Sequence, residues 1–203
     1  MKKILFLYLI LLLFSSCMSV STGYFAKEPD FFLYPEQAIL FTANIGDLQQ
    51  NAQFEEILST FFINNRYDKP YSLIKIDPLG EISDLPTLLD YLKKYDIQYI
   101  ISVTLTNSET DYDYVPQTVH TDVYNYGGYV SANSYSTGGY YTSSTVKTFA
   151  VTVSDTNGNR YALFEVKSDD SLNLFDGDKE LFEKIAQNIF ENLTPQPETD
   201  EKN

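Results

Sequence analysis

Residues 97–106 read Ile-Gln-Tyr-Ile-Ile-Ser-Val-Thr-Leu-Thr, and residues 146–153 read Val-Lys-Thr-Phe-Ala-Val-Thr-Val. In the first stretch Ile97, Tyr99, Ile101, Val103 and Leu105 alternate with Gln98, Ile100, Ser102, Thr104 and Thr106. In the second, Phe149, Val151 and Val153 alternate with Thr148, Ala150, Thr152 and Ser154. A period of two is the signature of a strand with one buried face. Asn157-Gly158 follows, and both residue types tolerate the positive φ of a type I′ turn, so the spacing predicts a tight hairpin with residues 161–166 returning antiparallel.

Upstream, residues 38–45 form an apolar, strand-like run ending at Gly46-Asp47, with residues 31–34 leading into it or packing beside it across Pro35. Phe54, Ile57, Leu58, Phe61 and Phe62 recur at the spacing of a helix with a wide apolar stripe. Asp47 or Asn51 can cap its start, and Asn64-Asn65 suits its end. Residues 72–77 read as a second short strand, broken by Pro78 and Gly80. Asp84 as N-cap and Pro86 in the first turn open a second helix, whose apolar face is Leu85, Leu88, Leu89 and Leu92. Lys93 and Lys94 lie in its last turn, where cations favour the helix dipole. Downstream, an acidic connector (Asp169, Asp170, Asp176, Asp178) precedes a last helix over residues 179–193, striped by Leu181, Phe182, Ile185, Ala186, Ile189, Phe190 and Leu193. The expected fold is an α/β (α+β) two-layer sandwich: a mixed five-stranded sheet with three helices on one face and a long hairpin insert.

The chain has 203 residues, 43% of them hydrophobic and 15% aromatic, with seventeen Tyr and no Trp. A net charge of −14 disfavours a nucleic-acid partner, whose phosphates are bound through Lys and Arg. Cys17 and His120 are each the only residue of their type. An intrachain disulfide, a multi-cysteine metal site and a His cluster are therefore excluded within one chain.

Lys2 and Lys3, then the apolar run 4–14, then Ser15-Ser16-Cys17, resemble the lipobox of bacterial lipoproteins. The apolar run is too short to span a bilayer. Phe14 departs from the usual Leu, which stands one position earlier at Leu13. The resemblance implies cleavage before Cys17, lipidation of Cys17 and a membrane partner reached through its acyl chains. Cleavage would also remove two lysines and no acid. Residues 1–16 are thus read as a signal peptide, 17–30 as a tether, 31–193 as one domain and 194–203 as a disordered tail. No Asp follows Cys17, which favours the outer membrane, with the periplasmic and surface faces both open.

The lipobox, the strand opening at Val146-Lys147-Thr148-Phe149, the turn at residues 155–158 and the closing helix from Lys179 together resemble small bacterial envelope lipoproteins. The domain of these proteins is similar to the amino-terminal domain of TolB and to curli-secretion lipoproteins. The resemblance spans residues 36–193 and is one of pattern. It implies a binding or assembly component without catalysis or cofactor, and it carries over no functional residue.

The insert, residues 107–145, holds eight of the seventeen tyrosines, with Gly127-Gly128, Gly138-Gly139 and many Ser and Thr. That mix resembles antibody paratopes, in which Tyr supplies contact area and Ser and Gly adaptability. Tyr124, Tyr126, Tyr129, Tyr135, Tyr140 and Tyr141 are the candidate binding residues. Two other readings of the insert stand beside this one. It is a low-complexity disordered excursion, or its ends lengthen the hairpin, with Glu109, Asp111 and Asp113 on one face and Tyr112 and Tyr114 on the other. Asp155, Asn157 and Asn159 match the start of a calcium loop, but Arg160 and Val166 break the pattern, and a hairpin turn accounts for them. His120 lies in the insert, away from any rigid element that a catalytic group needs. The expectation is a lipid-anchored, non-enzymatic envelope protein that binds a protein partner. A self-associating structural lipoprotein is the alternative, and a hydrolase comes last.

Overall fold

The computed structural model describes residues 19–78, 82, 85–126, 129–170 and 178–195. The elements in order are β1 (Ser19–Lys27), β2 (Ala38–Asn44), α1 (Leu48–Asn64), β3 (Lys69–Ser72), a single turn α2 (Leu73–Ile76), α3 (Leu85–Lys94), β4 (Tyr99–Val115), β5 (Thr118–Tyr126), β6 (Tyr129–Thr137), β7 (Tyr140–Asp155), β8 (Arg160–Asp170) and α4 (Asp178–Leu193). Six strands form one mixed sheet in the order β1-β8-β7-β4-β2-β3. β2 runs parallel to β3 and β4, and the remaining pairs are antiparallel. The α+β two-layer class is therefore as the sequence indicates, with one strand more.

The main core lies on one face of the sheet. Ile39 and Phe41 of β2, Ile101 and Val103 of β4, Phe149, Val151 and Val153 of β7, and Phe164 and Val166 of β8 meet α1 and α4 there. Phe54 and Phe62 of α1 make edge contacts with Phe182 and Phe190 of α4, at centroid distances of 5.0 and 5.1 Å. Each buried aromatic contributes both area and these oriented ring contacts.

The third helix departs from expectation. Ala38, Leu40, Leu92 and Ile97 form a separate buried cluster with Tyr71, Leu88, Leu89 and Ile100. Ala38 and Leu40 alternate with Ile39 and Phe41, so α3 covers the opposite face. Topology explains this. β2 crosses through α1 to β3, and β3 crosses back over β2 to β4. Two crossovers of one hand in opposite directions put their helices on opposite faces. Covering on both sides is why residues 38–41 are all buried and read as a continuous apolar run.

Three boundaries are corrected. The segment expected as a tether, 17–30, contains β1, an edge strand paired with β8 from Ser19↔Asp169 to Lys27↔Ala162. Phe25 packs on Phe164 at 5.5 Å, and Thr22 bonds to Asn188 and Asn192 of α4. The strand expected at residues 72–77 ends at Ser72, and residues 73–76 turn helical. β3 is an edge, which is where Pro70 can stand without costing a ladder hydrogen bond. Thr194, the first residue of the tail expected over 194–203, is instead buried, and its hydroxyl donates to the Phe190 carbonyl at 2.8 Å. Residues 1–18, including Cys17, and residues 171–177 and 196–203 lie outside the described set.

α1 starts at Asp47, which accepts from Gln50 N–H at 2.8 Å in a capping box. Asn51, the other candidate cap, holds the chain before the helix, accepting from Ile45 and Gly46 N–H. The hairpin after β7 is present but is not type I′. Gly158 N–H donates to the Asp155 carbonyl at 3.2 Å, and positive φ falls on Gly158 (87°) but not on Asn157. This is a three-residue loop whose glycine closes a bulge.

Candidate functional site

Two places on the fold gather chemistry: a ribbon that leaves the sheet, and a crevice at the ends of the parallel strands.

The ribbon arises because β4 and β7 continue past their neighbours. A bulge between Leu105 and Asn107 opens it, and pairing then runs unbroken from Asn107↔Thr148 to Val115↔Tyr140. Alternation sorts its side chains. Tyr112, Tyr114 and Tyr141 share one face with Thr110, Ser143 and Thr145, whereas Glu109, Asp111 and Asp113 occupy the other with Val146 and Ser144. By the alternation of β7, the Tyr face is the continuation of the face that α1 and α4 cover further back. No helix among the described residues reaches it here, and Tyr112, Tyr114 and Tyr141 are 71%, 52% and 72% exposed.

Beyond the ribbon, β5 and β6 form their own two-stranded sheet, from Thr118↔Thr137 to Tyr126↔Tyr129. The link back to β7 needs its glycines. Gly138 and Gly139 have φ of 86° and 75°, and a Cβ on Gly138 would collide with the Pro116 carbonyl. Apart from residues 116–117 and 138–139, the described part of the insert is thus strand, as the lengthened-hairpin reading has it, with a second hairpin added. Of the candidate binding residues, Tyr135 and Tyr141 are exposed side chains of β6 and β7. Tyr124, Tyr126, Tyr129 and Tyr140 occupy β5, β6 and β7 by backbone, and their side chains, like that of His120, lie outside the described set.

The crevice, of about 430 Å³, lies where β2 and β3 end and their chains depart to opposite faces. Open α/β sheets bind ligands at such a point. Its walls are largely apolar, with Leu48, Ala52, Leu73, Ile74 and Leu88 among them, and Asn51, Glu55 and Asp77 add polar groups. Glu55, 4% exposed, is missing from the sequence reading. Its carboxylate accepts from Ala43 N–H, Ser72 Oγ–H and Ile74 N–H, each at 2.9 Å. Burial pushes its carboxyl above the ordinary range, and these donors pull the other way. The group is a staple joining β2, β3 and α2 to α1, with its oxygens occupied by donors. The available signal was its place on the stripe, since Leu58 and Phe62 follow it at i+3 and i+7. Asp77 is engaged as well, accepting from Ile82 N–H at 2.8 Å.

Asp155 accepts from the backbone N–H of Asn157 and Asn159 and from the Asn159 side chain, which holds its carboxyl below the usual range. Its oxygens serve the turn. Among the described residues, no group of three or more His, Cys, Asp or Glu is placed to hold a metal ion. No helix among them is long and apolar enough to cross a membrane.

No protein-family model and no curated protein matches the chain. Among solved structures it is similar to two forms of a PelC dodecamer from Paraburkholderia phytofirmans, at 9% identity with a TM-score of 0.47 and at 11% with 0.45. Each likeness covers 88% of this chain and 99% of that one. A PDZ domain protein from Parabacteroides distasonis is similar over 95% of this chain and 40% of its own, at 10% identity and a TM-score of 0.32. At these TM-scores the likenesses carry no argument about function.

Proposed function

We propose that this chain is a lipid-anchored, non-enzymatic component of the bacterial cell envelope, held at the outer membrane through Cys17, that presents its Tyr-rich hairpin to a protein partner. The anchor rests on the lipobox-like sequence ending in the single cysteine. The binding role rests on one observation: two core strands leave the sheet as a ribbon that carries the hairpin β5–β6, with Tyr135 exposed on it. Exposed Tyr supplies contact area with few torsions to fix, which suits recognition. The carboxylates and the amide oxygen of the crevice accept from Ser72 and neighbouring backbone, so the hairpin is the better surface.

Photo-crosslinking in intact cells tests this, with the crosslinker replacing Tyr135 or Val119, both exposed on the hairpin. A discrete adduct with another envelope protein is the expected result. An adduct with a second copy of the chain would favour the self-associating reading. Absence of any protein adduct from both positions would sink the recognition role.

A further inference from the structure

We infer that the ribbon lies against the phospholipid bilayer that anchors the chain, with its Tyr face toward the lipid headgroups and its acidic face toward water. This rests on the reading that Cys17 is lipidated. The argument comes from strand register. Ser19 pairs with Asp169, Asp169 pairs with Val146, and Val146 pairs with Glu109. The first residue of β1 is therefore level with the root of the ribbon, at the same end of the sheet. Cys17 precedes Ser19 by two residues, which span at most about 7 Å. β7 stands two strands from β1, roughly 10 Å at ~4.8 Å per strand.

From Thr110↔Thr145 to Val115↔Tyr140 the ribbon runs on beyond that level. At ~3.4 Å per residue this is about 17 Å. An anchor with so short a reach keeps the ribbon's root within about 17 Å of the bilayer, the ribbon's own length, so a tilt of the sheet brings the ribbon onto it. β1 reinforces the point, because residues that would have been a flexible spacer are fixed in the sheet.

The side chains match that placement. Tyr112, Tyr114 and Tyr141 offer rings with polar tips, the chemistry that favours the membrane–water interface. Glu109, Asp111 and Asp113 project from the reverse face, where they avoid the cost of leaving water. The hairpin β5–β6, carried at the end of the ribbon, then meets its partner at the membrane surface.

The test uses the full chain, processed in cells, purified and reconstituted into phosphatidylethanolamine–phosphatidylglycerol vesicles. A thioether-linked Cys17 leaves an introduced cysteine as the free thiol for an environment-sensitive fluorophore. Labels at Tyr112→Cys and Tyr141→Cys are expected to lose most of their emission to lipids bearing a headgroup nitroxide. Labels at Asp111→Cys, on the acidic face, and at Arg160→Cys, at the far end of the sheet, are expected to keep theirs. Acylated, vesicle-bound protein whose Tyr112 and Tyr141 labels are unquenched overturns the placement. Equal quenching at Asp111 and Tyr112 overturns the assignment of faces. Mass spectrometry of the amino-terminal peptide from the same preparation reads the anchor separately. An unmodified Cys17 overturns the anchor reading and the placement built on it.

Discussion

Tyr114 and Tyr141 stand directly opposite each other on the ribbon, ring centroids 5.1 Å apart, and each keeps more than half of its surface in solvent. A cross-strand aromatic pair contributes ~0.2–1 kcal/mol, a small part of the stability of a domain this size. Replacing both by Ser is therefore expected to lower the unfolding free energy by no more than ~1 kcal/mol. The same variant should keep the crosslinked adduct formed from position 135, which belongs to the hairpin β5–β6. Urea denaturation and in-cell crosslinking check the two halves. A loss of several kcal/mol would make the pair part of the core, and a lost adduct would place these rings against the protein partner rather than the lipid.

The Glu55 staple makes a contrasting prediction, because its replacement acts on folding. Glu55→Gln turns one acceptor into an amide donor. The Ser72 hydroxyl can rotate to accept from it, but where Ile74 N–H is the neighbour, donor would face donor. The expected cost is ~1–3 kcal/mol. The pH dependence has a definite sign. A carboxyl whose folded pKa is raised binds more protons in the fold than in the unfolded chain. Its stabilising share is full below the ordinary glutamate value of 4.5 and declines as pH rises through the raised folded value. The advantage of wild type over Glu55→Gln should therefore shrink as pH rises across that window. Denaturation curves at several pH values, showing the advantage growing instead, would contradict the burial argument.

Periodicity made β4, β7, β8, α1 and α4 legible, because each of these elements buries one face against one partner layer. It failed where burial does not follow one face. β1 is polar because an edge strand with one covered face needs mainly its backbone ladder, so residues 19–27 resembled a spacer. Residues 73–76 carry strand-forming side chains, yet Glu55 accepts from Ser72 and Ile74 and draws the backbone out of the sheet. Helix placement depended on the direction of two crossovers, which no local pattern encodes. In the candidate site, the two faces of residues 109–114 could be read from alternation. The hairpin β5–β6 was not read, although Val119, Thr121 and Val123 alternate with His120, Asp122 and Tyr124. The Gly-Gly pair between its two strands was the missed signal.

β1 can be tested as a structural strand rather than a spacer. Replacing residues 19–27 by a Gly/Ser sequence of equal length keeps any anchor but removes Phe25 from Phe164 and weakens the β8 ladder. Losing the Phe25 contact and Val20, and adding Gly entropy, should cost at least ~2 kcal/mol. The uncovered β8 edge should then recruit other chains. Size-exclusion chromatography is expected to show aggregation, and denaturation a lower midpoint. A soluble monomer of wild-type stability would restore the spacer reading.

Tyr67 ties the segment ahead of β2 and the last residue of α4 to the core. Its hydroxyl donates to the Leu33 carbonyl at 2.8 Å, its ring meets Phe62 and Phe190, and Leu33 N–H in turn donates to the Leu193 carbonyl. Burial, with Glu36 nearby, pushes the phenol from 10.0 up to about 12. The fold thus holds this proton where the unfolded chain releases it. The stability tied to it is intact below pH 10.0 and is lost as pH rises toward about 12. Tyr67→Phe leaves the Leu33 carbonyl without this donor and should cost ~1–3 kcal/mol at neutral pH. It should also remove the most alkaline step from a spectroscopic phenolate titration of the folded protein. If that step persists in the variant, another tyrosine carries it, and the Tyr67–Leu33 bond is not the source of the alkaline resistance.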